Sequence, residues 1–460
     1  MSNSFWQRQR TFAGLSLVVA VLLAPIVLLG QETKPSSPKG KKPAAAAKAG
    51  SPLPKDYAPP RAIPAMMTVR EEDEATAKAG DAREKEFRTK VGSKYFSALL
   101  NGDTSPAGKQ YLKDGIAHSF FRLSRPKYLR VRLVDNPEDK DGNIDERKID
   151  KREGDIGSIR RGIMRDIQQA GSVVLKEKGA KAAVAFRTIY LQEVLKQSEK
   201  YLKGNFYVRL NTALIIADLQ VVPGNPFKKT AGVPFAPSAT VLKAIVEDPT
   251  QPEAVKIVAA QGIGRVLRFG ELKNETRYEF ANSLIKLIQA KDTHPWYQMR
   301  LVEALGGVGL KSFGNNRAFL SKALTAVLVD GTRHWTVRAE AAKQLGRVPL
   351  DANDDVKAIT HGVANLGVGM SDAVAANPNA PYWKSCYLKL YFAFQPIDQV
   401  EKDRGAGLKT SAPISQRKAV NDVYQLMLPM VKTALAWNEP AAIPAEQVSP
   451  LKDWVRGNTP

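Results

Sequence analysis

A ten-residue pattern, Val-Arg-x-x-Ala-Ala-x-x-Leu-Gly, recurs through the middle of this chain and limits what it can fold into. Its clearest copy is Val337-Arg338-Ala339-Glu340-Ala341-Ala342-Lys343-Gln344-Leu345-Gly346, and Val255-Lys256-Ile257-Val258-Ala259-Ala260-Gln261-Gly262-Ile263-Gly264 matches it position for position. Weaker copies start at Val208-Arg209, Tyr297-Gln298 and Trp383-Lys384. The second positions fall at 209, 256, 298, 338 and 384, which are 47, 42, 40 and 46 residues apart. That is about the length of one two-helix unit in a stacked array. Apolar or small residues three, four and seven apart share one helix face, and an Ala-Ala pair lets a neighbouring helix approach closely.

A partner helix is expected ahead of each marker, at 239–247, 277–289 and 318–329; in the last, Phe319, Leu320, Ala323, Leu324, Val327 and Leu328 recur at helical spacing. The turns between carry an Asp and a Thr: Asp248 with Thr250, Asp292 with Thr293, Asp330 with Thr332. Thr250 and Glu253 read as a capping box, and Thr293 and Thr332 as N-caps. On these residues the chain resembles a HEAT-repeat protein of a bacterial exported or membrane-anchored type. The resemblance implies an all-α fold, a right-handed α-solenoid of helix pairs. Marker spacing and capped turns place it over residues 180–395, without sheet. An Asp-Arg ladder of the HEAT kind would join Asp248, Asp292 and Asp330 to Lys256, Gln298 and Arg338, with the uncharged Gln298 interrupting it.

The flanks differ in texture. Arg8 and Arg10 precede an apolar run at 12–29 that contains Pro25, so residues 1–30 are expected to be a signal peptide or a membrane anchor. Lys34, Lys39, Lys41 and Lys42 follow it, against the positive-inside expectation. Long exported domains override that rule, so the body is expected outside the cytoplasmic membrane, periplasmic or tethered by a transmembrane helix. Residues 31–82 read as a disordered Pro/Ala/Lys linker. Residues 83–172 read as a helical N-terminal unit, with Phe87, Val91, Tyr95, Phe96, Leu99 and Leu100 on one amphipathic helix. Residues 396–460 read as a capping helix and tail.

The net charge of +22 predicts attraction to anionic surfaces without choosing among them. A single cysteine, Cys386, excludes a disulfide framework and a Cys-based zinc cluster. An EF-hand count through Asp139-Lys140-Asp141-Gly142 fails at Pro137 and Lys148. Gly306-Gly307-Val308-Gly309-Leu310-Lys311-Ser312 lacks a Lys directly after its last Gly, and Gly262-Ile263-Gly264 lacks a third glycine. His118, His294, His334 and His361 form no metal-binding or catalytic spacing, so no catalytic residue, metal or cofactor is expected. A long Pro-rich loop at 223–237 interrupts the array, and its Phe227, Lys228, Lys229 and Phe235 are the expected binding residues. The reading is a non-catalytic scaffold or adaptor that binds a protein partner at the cell envelope. Its alternatives are binding of an anionic polymer, membrane surface or nucleic acid, and an enzyme of the bilin-lyase type, whose HEAT-like repeats are similar.

Overall fold

Short polar side chains start several helices here, because the first backbone N–H groups of a helix have no partner within it. Asp73, Ser105, Asp155, Asn205 and Asp355 each accept from the N–H three residues further on. The computed structural model of the protein describes residues 72–129, 155–225, 227, 230–290, 292–395 and 407–459. The chain divides into two units, Met1–Gly50 and Ser51–Pro460, and every described residue lies in the second.

Helix α1 (Glu74–Glu86) runs through a π-helical turn at Phe87–Val91 into α2 (Gly92–Asn101). Then come α3 (Pro106–Ser124), α4 (Pro126–Leu129), α5 (Ile156–Gln169) and α6 (Ser172–Glu199), the last kinked at Gly179. The middle of the chain holds α7 (Phe206–Ala217), α8 (Ser238–Glu247), α9 (Glu253–Phe269), α10 (Asn274–Gln289) and α11 (Pro295–Gly306). It continues with α12 (Phe319–Val329), α13 (Trp335–Leu345), α14 (Val356–Ala376) and α15 (Trp383–Phe394). Helices α16 (Leu408–Ser411), α17 (Arg417–Ala436) and α18 (Ala445–Gly457) follow. Strand β1 (Gln220–Val222) pairs antiparallel with β2 (Val233–Pro234), and β3 (Ser312–Phe313) with β4 (Asn316–Arg317).

The architecture is predominantly helical and solenoid-like. Helices α7, α9, α11, α13, α15 and α17 each pack on the next, while α8, α10, α12 and α14 pack on the marker helices that follow them. Glycines and alanines make the succession close. A Cβ on Gly264 would lie 3.1 Å from Ala304 Cα; one on Gly306 would enter Gln344, and one on Gly346 the Ala393 carbonyl. Ala259, Val302 and Ala341 are fully buried, within one apolar cluster that extends from Tyr95 to Leu451.

Arginines tie the helices together at their carboxyl ends, where the last carbonyls lack intrahelical partners. Arg187 donates to the Gln168 and Ala170 carbonyls at the end of α5 and, at 3.4 Å, to Gln220. Arg265 donates to Ala217, the last residue of α7. Arg277 joins the end of α9, through Leu267 and Gly270, to Val308 just beyond α11. Arg333 caps Ile288 and Arg338 caps Leu328, at the ends of α10 and α12. Burial lowers the pKa of Arg187, Arg265, Arg277 and Arg338, yet a guanidinium stays charged at neutral pH.

Several expectations are corrected. The array is not free of sheet, since two hairpins interrupt it. The linker expected through residue 82 yields to α1 at Glu74, and the expected tail contains α18. The Thr residues are not the caps, because Asp248 and Asp330 capture Thr250 and Thr332 in tight turns that end before the helix starts. Of the expected ladder, Asp330 forms an ion pair with Arg333 while the Arg338 guanidinium donates to Leu328. Asp330 is near enough to act against the burial that lowers the Arg338 pKa, and Lys256 near enough to add to the Thr250 bonds that lower that of Asp248. A membrane-anchored, transmembrane placement is not supported, since no helix among the described residues is long and apolar enough to cross a membrane. The run at 12–29 on which it rested, the start of the linker and the 137–148 loop lie outside the described residues.

Gly346→Ala is expected to destabilise the fold by about 1–3 kcal/mol, because the new methyl group overpacks against backbone. Gly331→Ala, with nothing within 4 Å of its Cβ, is expected to stay within about 0.5 kcal/mol of the parent. Urea unfolding of the two variants measures both.

Candidate functional site

The loop expected at 223–237 is the outer part of a β-hairpin between α7 and α8. Gln220 and Val222 pair with Pro234 and Val233 across an irregular register, and beyond them Asn225 and Thr230 exchange backbone hydrogen bonds of 3.0 and 3.1 Å. Gly224 faces Gly232 so closely that a Cβ on Gly224 would lie 2.7 Å from Gly232 N. The Gln220 side chain accepts from the Gly224 N–H, and Asn225 Oδ1 accepts from the Phe227 N–H at 2.9 Å. Phe227 thus stands at the tip, 84% exposed.

Phe235 does the opposite and is only 3% exposed. Its N–H donates to the Leu219 carbonyl at 3.0 Å, which turns the ring into the core at the hairpin's root. It is a packing residue and not the exposed anchor expected from the sequence. Lys228 and Lys229 lie outside the described residues.

A second hairpin, β3–β4, follows α11 and turns at Gly314, whose φ of 56° suits glycine. Phe313 stacks on Tyr278 with ring centroids 4.3 Å apart, and Tyr278 meets Phe319 edge-on. The phosphate-loop look-alike at 306–312 is therefore the end of α11 and the entry to β3, with Gly306 and Gly307 packed against neighbouring helices.

Two histidines cap adjacent marker helices. His294 Nδ1 accepts from the Trp296 N–H at 3.1 Å and His334 Nδ1 from the Thr336 N–H at 3.2 Å. The His334 ring meets Tyr382 edge-on at 4.7 Å. Both caps require a neutral ring with Nδ1 bare. Burial lowers the pKa of His294, and burial together with the nearby His294 and Lys389 pushes His334 down to about 4.

Helices α13 and α15 converge on Glu340, which is 2% exposed. Its carboxylate accepts from Lys343 Nζ at 3.0 Å, from Gln344 Nε2 and, across to α15, from Lys389 Nζ at 3.1 Å. Lys389 Nζ also lies 2.9 Å from Met299 Sδ on α11. Burial acts to raise the Glu340 pKa, but the two lysines and Gln344 hold it well below the usual carboxylate range. Cys386 lies close by on α15, and burial pushes its thiol up to about 12, so it carries no thiolate at neutral pH. The sequence reading missed this knot, although the charged Glu340 inside an Ala-rich face was its visible signal.

Among the described residues no group of three or more His, Cys, Asp or Glu side chains is arranged to hold a metal ion. No family model matches the chain, and neither a curated protein nor a solved structure matches it. The class that the geometry defines is a mainly helical, solenoid-like protein with two hairpins inserted between its helices.

A lowered histidine pKa means that the fold favours the neutral ring. The His contribution to stability is full above pH 6.5 and is lost as pH falls from there toward 4. His334→Asn keeps a capping acceptor and removes one titrating group, so its stability should fall less steeply between pH 6.5 and 4.5; thermal melts across that range test this. Glu340→Gln is expected to cost about 3 kcal/mol at pH 7, since it breaks a buried ion pair. Parent and variant should converge as pH falls below 4.5, where the depressed carboxylate loses its advantage.

Proposed function

We propose that this protein is a non-catalytic scaffold of HEAT-type helix pairs, wound as a right-handed α-solenoid, that binds a protein partner through the β1–β2 hairpin. The observation that carries this reading is Phe227, a large apolar side chain 84% exposed on a hairpin that is fastened at its root. Burying such a ring in a partner yields roughly 1.5–3 kcal/mol, and a pre-ordered hairpin loses little entropy on binding. The repeat assignment is supported by the equivalent burial of Ala259, Val302 and Ala341 and by the marker glycines that abut the next helix. An anionic-polymer reading is weakened because several arginines of the +22 chain are spent on helix carbonyls.

A photo-crosslinking phenylalanine analogue at position 227 is expected to give discrete protein adducts in extracts of the producing cells. At Ile414, an equally bare site at 81% exposure, it should give none. Phe227→Ala should then weaken the identified partner at least tenfold, about 1.4 kcal/mol, with an unchanged melting temperature. Indistinguishable labelling from the two sites would defeat the proposal.

A further inference from the structure

We infer that Met299 and Lys389 form an oxidative cross-linking site, at which a reagent of the hypohalous acid class joins the thioether sulfur to the lysine nitrogen by a covalent S–N bond. The site does not depend on the reading of Phe227. Lys389 Nζ lies 2.9 Å from Met299 Sδ although 90 residues separate the two in the chain. That distance is ordinary for N–H···O. Sulfur is a larger atom and a weak acceptor, so the same length is a close contact for this pair. Reacting atoms held within about 3–3.5 Å stand in a near-attack arrangement.

The surroundings keep the two atoms there. Glu340 Oε2 anchors Lys389 Nζ at 3.1 Å, and the Glu340 carboxylate is itself held by Lys343 at 3.0 Å and by Gln344. The Lys389 side chain is 13% exposed and Met299 is half-buried, so a small neutral oxidant reaches the sulfur where little water surrounds it. Cys386, one turn before Lys389, would otherwise be the preferred sulfur, but it is fully buried and carries no thiolate at neutral pH.

The chemistry closes on these groups. The sulfur lone pair takes the halogen from the hypohalous acid, giving a halosulfonium and hydroxide. Hydroxide removes a proton from the Lys389 ammonium and becomes water. The freed nitrogen lone pair attacks the sulfur, halide leaves, and one further proton passes to solvent. Sulfur is oxidised by two electrons and the halogen is reduced by two. The product, a sulfonium bonded to nitrogen, keeps the positive charge that Lys389 brings to Glu340, so the buried carboxylate is not left unpaired. Where no amine stands at the sulfur, water attacks instead and gives methionine sulfoxide. The link ties α11 to α15 over α13, and a cross-link across so long a loop constrains the unfolded chain.

The test adds hypobromous acid stepwise to the full-length protein at neutral pH until methionines begin to oxidise, then digests with trypsin and weighs the peptides. Peptides 292–300 and 385–402 are expected joined, lighter than their sum by two hydrogen atoms, with cleavage after Lys389 blocked. The linked protein should melt above the untreated one. Lys389→Arg keeps a cation at Glu340 but offers a guanidinium that stays charged, so it should lose the link and give Met299 sulfoxide, heavier by one oxygen atom. Met299→Leu should lose the link and leave Lys389 open to trypsin. Sulfoxide at Met299 of the parent, to the same extent as in Lys389→Arg, would overturn the inference. So would a Met299 left unreacted while other methionines oxidise, or a link from Met299 to a different lysine.

Discussion

The interaction on which this fold depends is a guanidinium placed against the carbonyls that end a helix. Stacked helices bring their carboxyl ends against neighbouring helices, where water reaches them poorly and the C-terminal partial charge of the helix dipole is left unscreened. Arg187, Arg265, Arg277, Arg333 and Arg338 answer this at five helix ends. Arg277 does more than cap, since it holds carbonyls from the ends of two successive marker helices at once. The same contact therefore satisfies the backbone and sets how far one helix can slide past the next.

This use of arginine changes what the net charge means. A count of +22 reads as a basic surface only if the charges face solvent. Arg187, Arg333 and Arg338 are buried, and Lys343 and Lys389 are half-buried around Glu340. Composition alone cannot distinguish such internal cations from a docking surface, because both have the same residue types and differ only in which carbonyl or carboxylate lies within 3 Å or so.

The succession of marker helices was legible because its signal is local and repeated: an Ala-Ala pair and a closing Gly recur at helical spacing, and Gly264 and Gly346 do lie where the next helix comes nearest. Boundaries were less legible. Thr250 and Thr332 have the right chemistry for caps, but an Asp two residues earlier competes for both the hydroxyl and the N–H, leaving the N-cap position to Pro252 and to His334. The hairpins were harder still. Val221, Val222 and Val233 are too few to give a period-two signal, and the pairing depends on Gly224 approaching Gly232 across the strand. Phe227 and Phe235 look alike in sequence, but the Phe235 N–H bonds to Leu219 with its ring in the core, while the Phe227 N–H bonds to Asn225 with its ring bare.

The Glu340 knot shows how the array is held on its other faces. Met299 on α11 and Lys389 on α15 meet although α13 lies between their helices, so their side chains close over it above the buried carboxylate. An apolar residue at 340 would relieve the desolvation cost of the carboxylate but would leave Lys389 without a reason to cross. The ion pairs therefore fix relative position more than they add stability, and this matches the role of the arginines at the carboxyl ends. Both features constrain the helices, and the hairpins extend from two of the connections between them.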